Sequence, residues 1–583
     1  MEDQDHIVNH LLAMAECLRT QENPKVKMAM KCVLSCFKLR MSPHLLAHCN
    51  LVYGRMLYYH TEQLQLAKEY LLQSYQMTAN FDDIFKETHL QAFILICEIC
   101  MAEQNFASII PQMVSEIPGA LAYPYLYHRL ILLLTEMYTI QSRAEDAVRL
   151  LEMGRQNAPE NSPLTLYYPL TVNLVKMKLN VMEGPDDQPP DIIKSICEMP
   201  RTHPAVPNLH LFARGTQLAY WLSRGQAKSA KGFLRDMQQE SQVYANSELP
   251  EGFVWCMMDV ITILTCVFTV AHSMTTCLLD KAQKYYGIAT NHLKAMEMKH
   301  ASKPYDASTA RLLEKMRIIL DELLCQMNII SCQPKKALLN IRCILEMSSR
   351  NRFLAEEFFP LTHLLLANYC IYNDDNSEAA ARHFKLAVSG VKGQQTGIIA
   401  HLHAALFYLR TCRLRDYYAI ADKVHLRCLE GQTPVIEILG YTLYMYHSYL
   451  FNRQNEFRSH VVHNLGATKK QDFFRFHSLV FPMFSTYFTG NPQNVHSSVC
   501  TLVWSKKMVD HALLLWTYLH IKDFVSETET VQGITLKETV ESIEAASAAL
   551  ANSKVEARTD EHHQKLVNWF DGDPMNFLPR ELL

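Results

Sequence analysis

"SRAEDAVRLLEMGRQNAPEN", residues 142–161, decides the fold. Its Ala147, Leu151 and Gly154 stand at i, i+4 and i+7. They therefore share one face of an α-helix, two small side chains with a bulky one between them. The same order returns along the chain. "SEAAARHFKLA" (377–387) gives Ala380, Phe384 and Ala387, and "LLDKAQKYYGIAT" (278–290) gives Ala282, Tyr286 and Ala289. "LQLAKEYLLQSY" (64–75) gives Ala67, Leu71 and Ser74, and "CQPKKALLNIRCI" (332–344) gives a relaxed version, Ala337, Ile341 and Ile344. Each follows another apolar-periodic helix after a short polar turn. Small side chains let the second helix of a pair close against the first and against the next pair. The large one fills the gap between them.

Recurring helix pairs are the mark of an α-solenoid. Ala282, Ala337 and Ala380 are separated by roughly 40–55 residues, which favours repeats of the HEAT or armadillo kind over a tetratricopeptide repeat of about 34. Residue identity favours the tetratricopeptide pattern. Around Ala147, the residues Leu134, Tyr138, Leu151, Gly154 and Pro159 all fall at its packing places. The expectation is an all-α chain, an α-solenoid superhelix of tetratricopeptide-like helix pairs. Looser copies follow: "EILGYTLYMYHSYLFNRQNEFRSHVVHNL" offers Gly440 and Tyr444, then Phe457, Val461 and Asn464. A further pair is expected to turn at Gly490–Asn491–Pro492.

The expected organisation is an N-terminal helical segment (1–44), an N-terminal repeat block (45–182), a loop (183–209), a central block (210–390), a degenerate C-terminal block with a capping helix (391–553) and a polar tail (554–583). Six prolines mark the loop, which has room for one short helix. A second break is expected at 299–308, and an acidic loop, 525–533, before a last helix over roughly 535–553.

Bulk properties agree. The 583 residues exceed one compact core; 49% are hydrophobic and 20% charged, as in a folded chain. The net charge of −3 argues against a nucleic-acid-holding surface, which needs cations to neutralise phosphate. Arg410, Arg413 and Arg415 read as a solvated helix face. The seventeen cysteines are scattered and the start "MEDQDHIVNH" is polar, as expected of a chain in a reducing compartment. "VWCMMDVITILTCVFTVAHSM" (254–274) is nearly long enough to span a bilayer, but Asp259 inside it favours a buried helix.

Signatures of catalysis are missing from the sequence: no phosphate loop, no HExxH, no GxSxG. Cys97 and Cys100 have C-x2-C spacing without a second pair, and are expected to be core thiols. His562 and His563, beside Asp560 and Glu561, read as a solvated tail. "YNDDNS" (372–377) reads as turn and cap before the helix of Ala380. No enzyme, cofactor, metal or small-molecule ligand is expected. The first helices of the pairs line the concave side of a solenoid. The register therefore names Arg55, Tyr58, Arg129, Glu136, Tyr369 and Tyr372 as candidates to line a groove that grips a polypeptide, since aromatic and arginine anchors dominate interfaces. The lysine–asparagine clamp for a terminal carboxylate is not there: its slots hold Leu51, Arg55, Leu132 and Glu136.

Two stretches carry a resemblance. "TVAHSMTTCLLDKAQKYYGIATNHLKAM" (269–296) and "LVNWFDGDP" (566–574) resemble the tetratricopeptide subunit of the cohesin loader, the Mau-type or Scc-type partner of Nipped-B. "LVYGRMLYYHTEQLQLAKEYLLQSY" (51–75) and "HSLVFPMFSTYFTGN" (477–491) extend it over about residues 45–575, with a departure at Phe570, where a threonine-like residue is expected. The resemblance implies a non-enzymatic scaffold that wraps the N-terminal segment of a Nipped-B-like large subunit, meets cohesin indirectly and chromatin through the complex, and serves sister-chromatid cohesion and chromosome segregation. It implies a nuclear, chromatin-associated protein with a cytoplasmic pool and no membrane. Lys469–Lys470 and Lys506–Lys507 are only pairs, so entry to the nucleus with the partner is expected. The alternative is a repeat adaptor of another assembly, such as a ubiquitin ligase or a transport complex.

Overall fold

A computed structural model describes residues 2–570 except 22–23, 62, 80–84, 104, 161, 179–190, 200–208, 246–254, 303–306, 350–351, 391–393, 430–431, 469–494 and 528–529. The described residues form helices joined by short turns, and their one β-bridge links Val531 to Ile534. In chain order these are α1 (Glu2–Thr20), α2 (Val26–Cys36), α3 (Pro43–His60), α4 (Leu64–Thr78), α5 (Lys86–Ala102), α6 (Phe106–Ala120), α7 (Pro124–Ile140), α8 (Ala144–Gln156), α9 (Leu164–Lys178) and α10 (Asp191–Glu198). Then come α11 (Leu209–Ser223), α12 (Ala227–Ala245), α13 (Met258–Thr275), α14 (Leu279–Ser302), α15 (Ala307–Ile330), α16 (Pro334–Ser349), α17 (Arg352–Tyr369), α18 (Ser377–Ser389) and α19 (Gln394–Arg410). The last are α20 (Leu414–Ile420), α21 (Leu426–Leu429), α22 (Pro434–Leu450), α23 (Gln454–Thr468), α24 (Val495–Met508), α25 (His511–Lys522), α26 (Leu536–Arg558) and α27 (His563–Val567).

The chain divides into two compact units. One holds Met1–Leu209, Pro250–Trp255 and Asn291–Leu313; the other holds His210–Leu249, Cys256–Thr290 and Glu314–Leu583. In both, sequential helices pack against each other, α3 on α4 and α7 on α8 in the first, α17 on α18 and α22 on α23 in the second. The small-large-small stripes lie where the sequence places them. Ala67, Leu71, Ala147, Leu151, Ala282, Ala289, Ala337, Ile341, Ala380, Phe384 and Ala387 are all fully or almost fully buried. Gly154 is required by a close approach: a Cβ there would stand 2.6 Å from the Tyr168 ring on α9. Tyr286 is only half-buried. Its hydroxyl donates to Asp321 Oδ1 at 2.6 Å, in a buried polar network with Arg317 and Asn340.

In eight of the described turns the reason the chain folds back is visible. A single residue takes a left-handed conformation between the two helices: Ser142, Gly225, Cys277, Cys332, Asp375, Cys412, Asn452 and Val509. In seven of these turns the next residue's N–H bonds a carbonyl five residues back, as in Arg143 to Tyr138, Gln333 to Asn328 and Arg413 to Tyr408, each at 2.8 Å; after Asp375 the Asn376 N–H reaches six back, to Cys370. This is the Schellman closure, and it satisfies carbonyls that a helix end leaves bare. Arg143 and Arg413 are also the caps of the following helices, so three residues make the whole turn. Only Gly225 is a glycine, which is why the sequence reading missed the motif.

Val509 is the costly member. It is β-branched at φ 53°, where an L side chain meets its own carbonyl. Val509→Gly is expected to raise stability by about 1 kcal/mol, read as a higher melting temperature in thermal unfolding.

Helix α13 is the apolar stretch tested for a membrane span. It is the one described helix long and apolar enough by composition. It is also a core helix: Val260, Ile261, Ile263 and Val270 are fully buried. Of its polar residues, Thr269 pairs with Gln238 at 3.0 Å and His272 with the Ala227 carbonyl at 3.0 Å.

Of the expected boundaries, α10 is the short helix inside the 183–209 loop. The turn at 490–492, Lys469–Lys470 and most of the loop lie outside the described residues. Helix α26 runs through the 553/554 border to Arg558.

Candidate functional site

In the first unit, the first helices of successive pairs, α3, α5 and α7, touch one another. On them Tyr58, Glu98, Arg129 and Glu136 draw together with Arg311 from the start of α15. Arg129 Nη2 donates to Glu98 Oε1. Arg311 Nη2 stands 3.4 Å from Glu136 Oε1. Glu98 is 6% exposed, so its charge is held almost out of water. Burial, and then the Glu98 carboxylate, push the Tyr58 phenol above its ordinary range. Burial works against the Arg129 charge, and the Glu98 carboxylate more than offsets it, so the guanidinium is held above its usual value. Three of the sequence candidates thus meet in one cluster. Arg55 does not join it; it acts on His48 and Glu16. Sequence reasoning missed Glu98, which lies in "ICEIC" between Cys97 and Cys100. Both thiols are buried and raised by burial, as core thiols are.

In the second unit the candidates meet the chain's own C-terminal segment. Tyr369 is fully buried, and its hydroxyl is 3.0 Å from His563 Nδ1. That position is filled, not open. Tyr372 is half-buried, its phenol raised by burial and by Asp510, with Arg410 opposing. The "YNDDNS" stretch does cap, through Asn376 Oδ1 accepting from the Ala379 N–H at 3.0 Å. It also does more. A π-helical turn, Cys370–Asp374, carries Asn373 and Asp374 into the contact. Asn373 donates to Ser553 Oγ at 2.9 Å, Lys554 to Asp375 at 2.8 Å and Arg558 Nε to Asp374 Oδ1 at 3.2 Å. Arg342 donates to His562 Nε2 at 2.7 Å. Trp569 stacks on His363 at 4.6 Å, and Phe570 lies 5.0 Å from the ring of His383.

The reading of His562 and His563 as a solvated tail is therefore corrected: His563 is 1% exposed. Residues 553–570 form a strap over α16, α17 and α18. The polar composition hid this, because the residues that the strap buries, Ser553, Ala557, His563, Leu566, Val567 and Trp569, are spaced among exposed polar ones. Among the described residues no group of three or more His, Cys, Asp or Glu is placed to hold a metal ion.

One tautomer set fits the histidine pair under the strap. His383 Nε2 is 3.0 Å from the Val567 carbonyl, so it carries the proton. Its Nδ1 then accepts from His363 Nδ1–H at 2.9 Å. Both rings are neutral. Burial pushes His363 down to about 3, with His383 adding to the shift, and burial pushes His383 down to about 4. Unfolded, each titrates near 6.5. Below that pH the unfolded chain binds protons the folded chain refuses, so stability present above about 6.5 drains as pH falls toward 4. The wild-type melting temperature is expected to fall more steeply from pH 6.5 to 5 than that of His363→Gln. Equal slopes in thermal melts would contradict this.

The chain matches the family described as cohesin loading factor over residues 8–519. It is similar to maternal uncoordinated protein 2 of Caenorhabditis elegans, with 26% identity over 99% of both chains. It is also similar to the MAU2 chromatid cohesion factor homolog of Drosophila melanogaster, with 24% identity over 98% of this chain and 91% of that one. Among solved structures, Scc4 in complex with Scc2n shares the fold, with a TM-score of 0.53 at 10% identity over 96% of this chain and 99% of that one. Scc4 in complex with Scc2n and Ctf19n gives 0.55 at 10% identity over 94% and 98%. With the family matched across most of its length, the chain belongs to the cohesin loading factor family.

Proposed function

We propose that this chain is the non-enzymatic scaffold subunit of a cohesin-loading complex, and that it holds the N-terminal segment of a Nipped-B-like large subunit against the first helices of its repeats. The observation that carries the reading is the unit-one cluster of Tyr58, Glu98, Arg129, Glu136 and Arg311 on adjoining helices. A phenol and fixed, paired charges on a rigid array are the kind of anchor that selects one extended segment. Scc4, which has the same fold, is solved in complex with Scc2n. Under this reading the cohesin and chromatin contacts come through the large subunit, and the chain enters the nucleus with it.

Co-expression with the N-terminal segment of such a subunit, followed by limited proteolysis, tests this. A stoichiometric complex in which the partner segment is protected supports it. Failure to co-purify, or a protected segment lost without effect from Arg129 and Glu136 variants, argues against the proposed face. A chain fully nuclear without its partner would contradict the import reading.

A further inference from the structure

The strap is held by apolar and polar contacts together. Between repeats, alanine and leucine close the gaps. Under the strap the apolar Ala557, Leu566, Val567 and Trp569 are buried beside polar groups, and four of the buried polar atoms there have no hydrogen-bond partner: His363 Nε2, Asn373 Oδ1, His562 Nδ1 and His563 Nε2. His563 Nε2 points at Asp374 Oδ1 from 3.6 Å, too far for a hydrogen bond. A buried polar group left unmade opposes docking. The attractive contacts are of a kind a separate peptide can reproduce. Two cations one helical turn apart, Lys554 and Arg558, meet Asp375 and Asp374, and an aromatic pair ends the segment on imidazole rings.

We propose that the face formed by α17, the π-turn after it and α18, bearing His363, Asp374 and Asp375, is a peptide-docking site, that residues 553–570 are its resident ligand in cis, and that a partner segment of the same chemistry, two cations at i and i+4 followed by an aromatic pair, replaces them in trans. This goes beyond the loader reading and does not depend on which protein supplies the segment. Charge complementarity selects the occupant: an acidic or purely apolar segment would leave Asp374 and Asp375 unpaired. The under-satisfied histidines and asparagine keep the cis contact exchangeable.

The probe is a fluorescent synthetic peptide of residues 553–570, offered to the full chain. Anisotropy is expected to show at least tenfold tighter binding to the Arg558→Ala/Trp569→Ala chain than to wild type, because cis competition is relieved there. Adding Asp374→Ala should remove the gain. No saturable binding to the double variant, with its helix content and melting temperature retained, would overturn the proposal. Hydrogen exchange on the unaltered chain guards against misfolding. Amides of 563–569 should exchange at least tenfold faster than those of α17. Equal protection of the strap and α17 would show a permanent core element and overturn the proposal as well.

Discussion

Ala380→Trp lowers the melting temperature and loosens the central repeats, and it is the largest effect expected of any single change in the packing stripes. Ala380 is fully buried on α18, one turn before Phe384, in the face that closes against α17. Interiors are packed like crystals, so a tryptophan has no space to enter. Overpacking costs typically 1–3 kcal/mol, and an indole replacing a methyl belongs at or above the upper end of that range. The damage does not stop at the pair. α18 also carries His383, whose ring donates to the Val567 carbonyl, and it follows directly on the π-turn that presents Asp374. Pushing α18 from α17 should therefore release the strap too. Hydrogen exchange should show faster exchange over α17, α18 and residues 563–569 together, while the α7–α8 pair stays protected. Unchanged melting and exchange would refute the packing role assigned to this alanine.

How much of this was legible depends on range. The stripe is local: three side chains on one helix report their own burial, so Ala147, Ala282 and Ala380 could be read without any tertiary knowledge. The groove register was legible in part. It placed Tyr58, Arg129 and Glu136 on one face of adjoining helices, but it could not see Glu98 as their partner, since Glu98 sits among apolar residues and cysteines that dominate the reading of "ICEIC". Tyr369, named as a groove residue, is instead fully buried against a segment nearly two hundred residues later, at His563. Nothing local marks such a contact. The hairpin turns escaped for another reason. Left-handed residues are sought as glycine or asparagine, and here cysteine occupies three of the eight turns and valine one. The turn is imposed by helix packing on both sides, which overrides the residue's own preference.

Arg129→Ala is the change that separates the stability of the unit-one cluster from its proposed grip on a partner. It strips the Glu98 carboxylate of the guanidinium that holds it, in a place almost closed to water. Removing one member of a buried pair costs about 3–5 kcal/mol. Arg129 is about a third exposed, which lets water reach the site and sets the expectation nearer 2–3 kcal/mol. Glu98→Gln/Arg129→Met removes both charges and keeps similar volume, and should recover most of the lost stability, because no lone charge remains buried. Thermal melts of the three chains give the structural half of the answer. Co-purification with the N-terminal segment of a Nipped-B-like subunit gives the other. A charge pair that only braces α5 against α7 predicts full capture by the double variant once it is stable. A charge pair that the partner reads predicts capture reduced at least tenfold in the double variant despite its restored melting temperature, and the loader reading requires this second result if the cluster is the anchor.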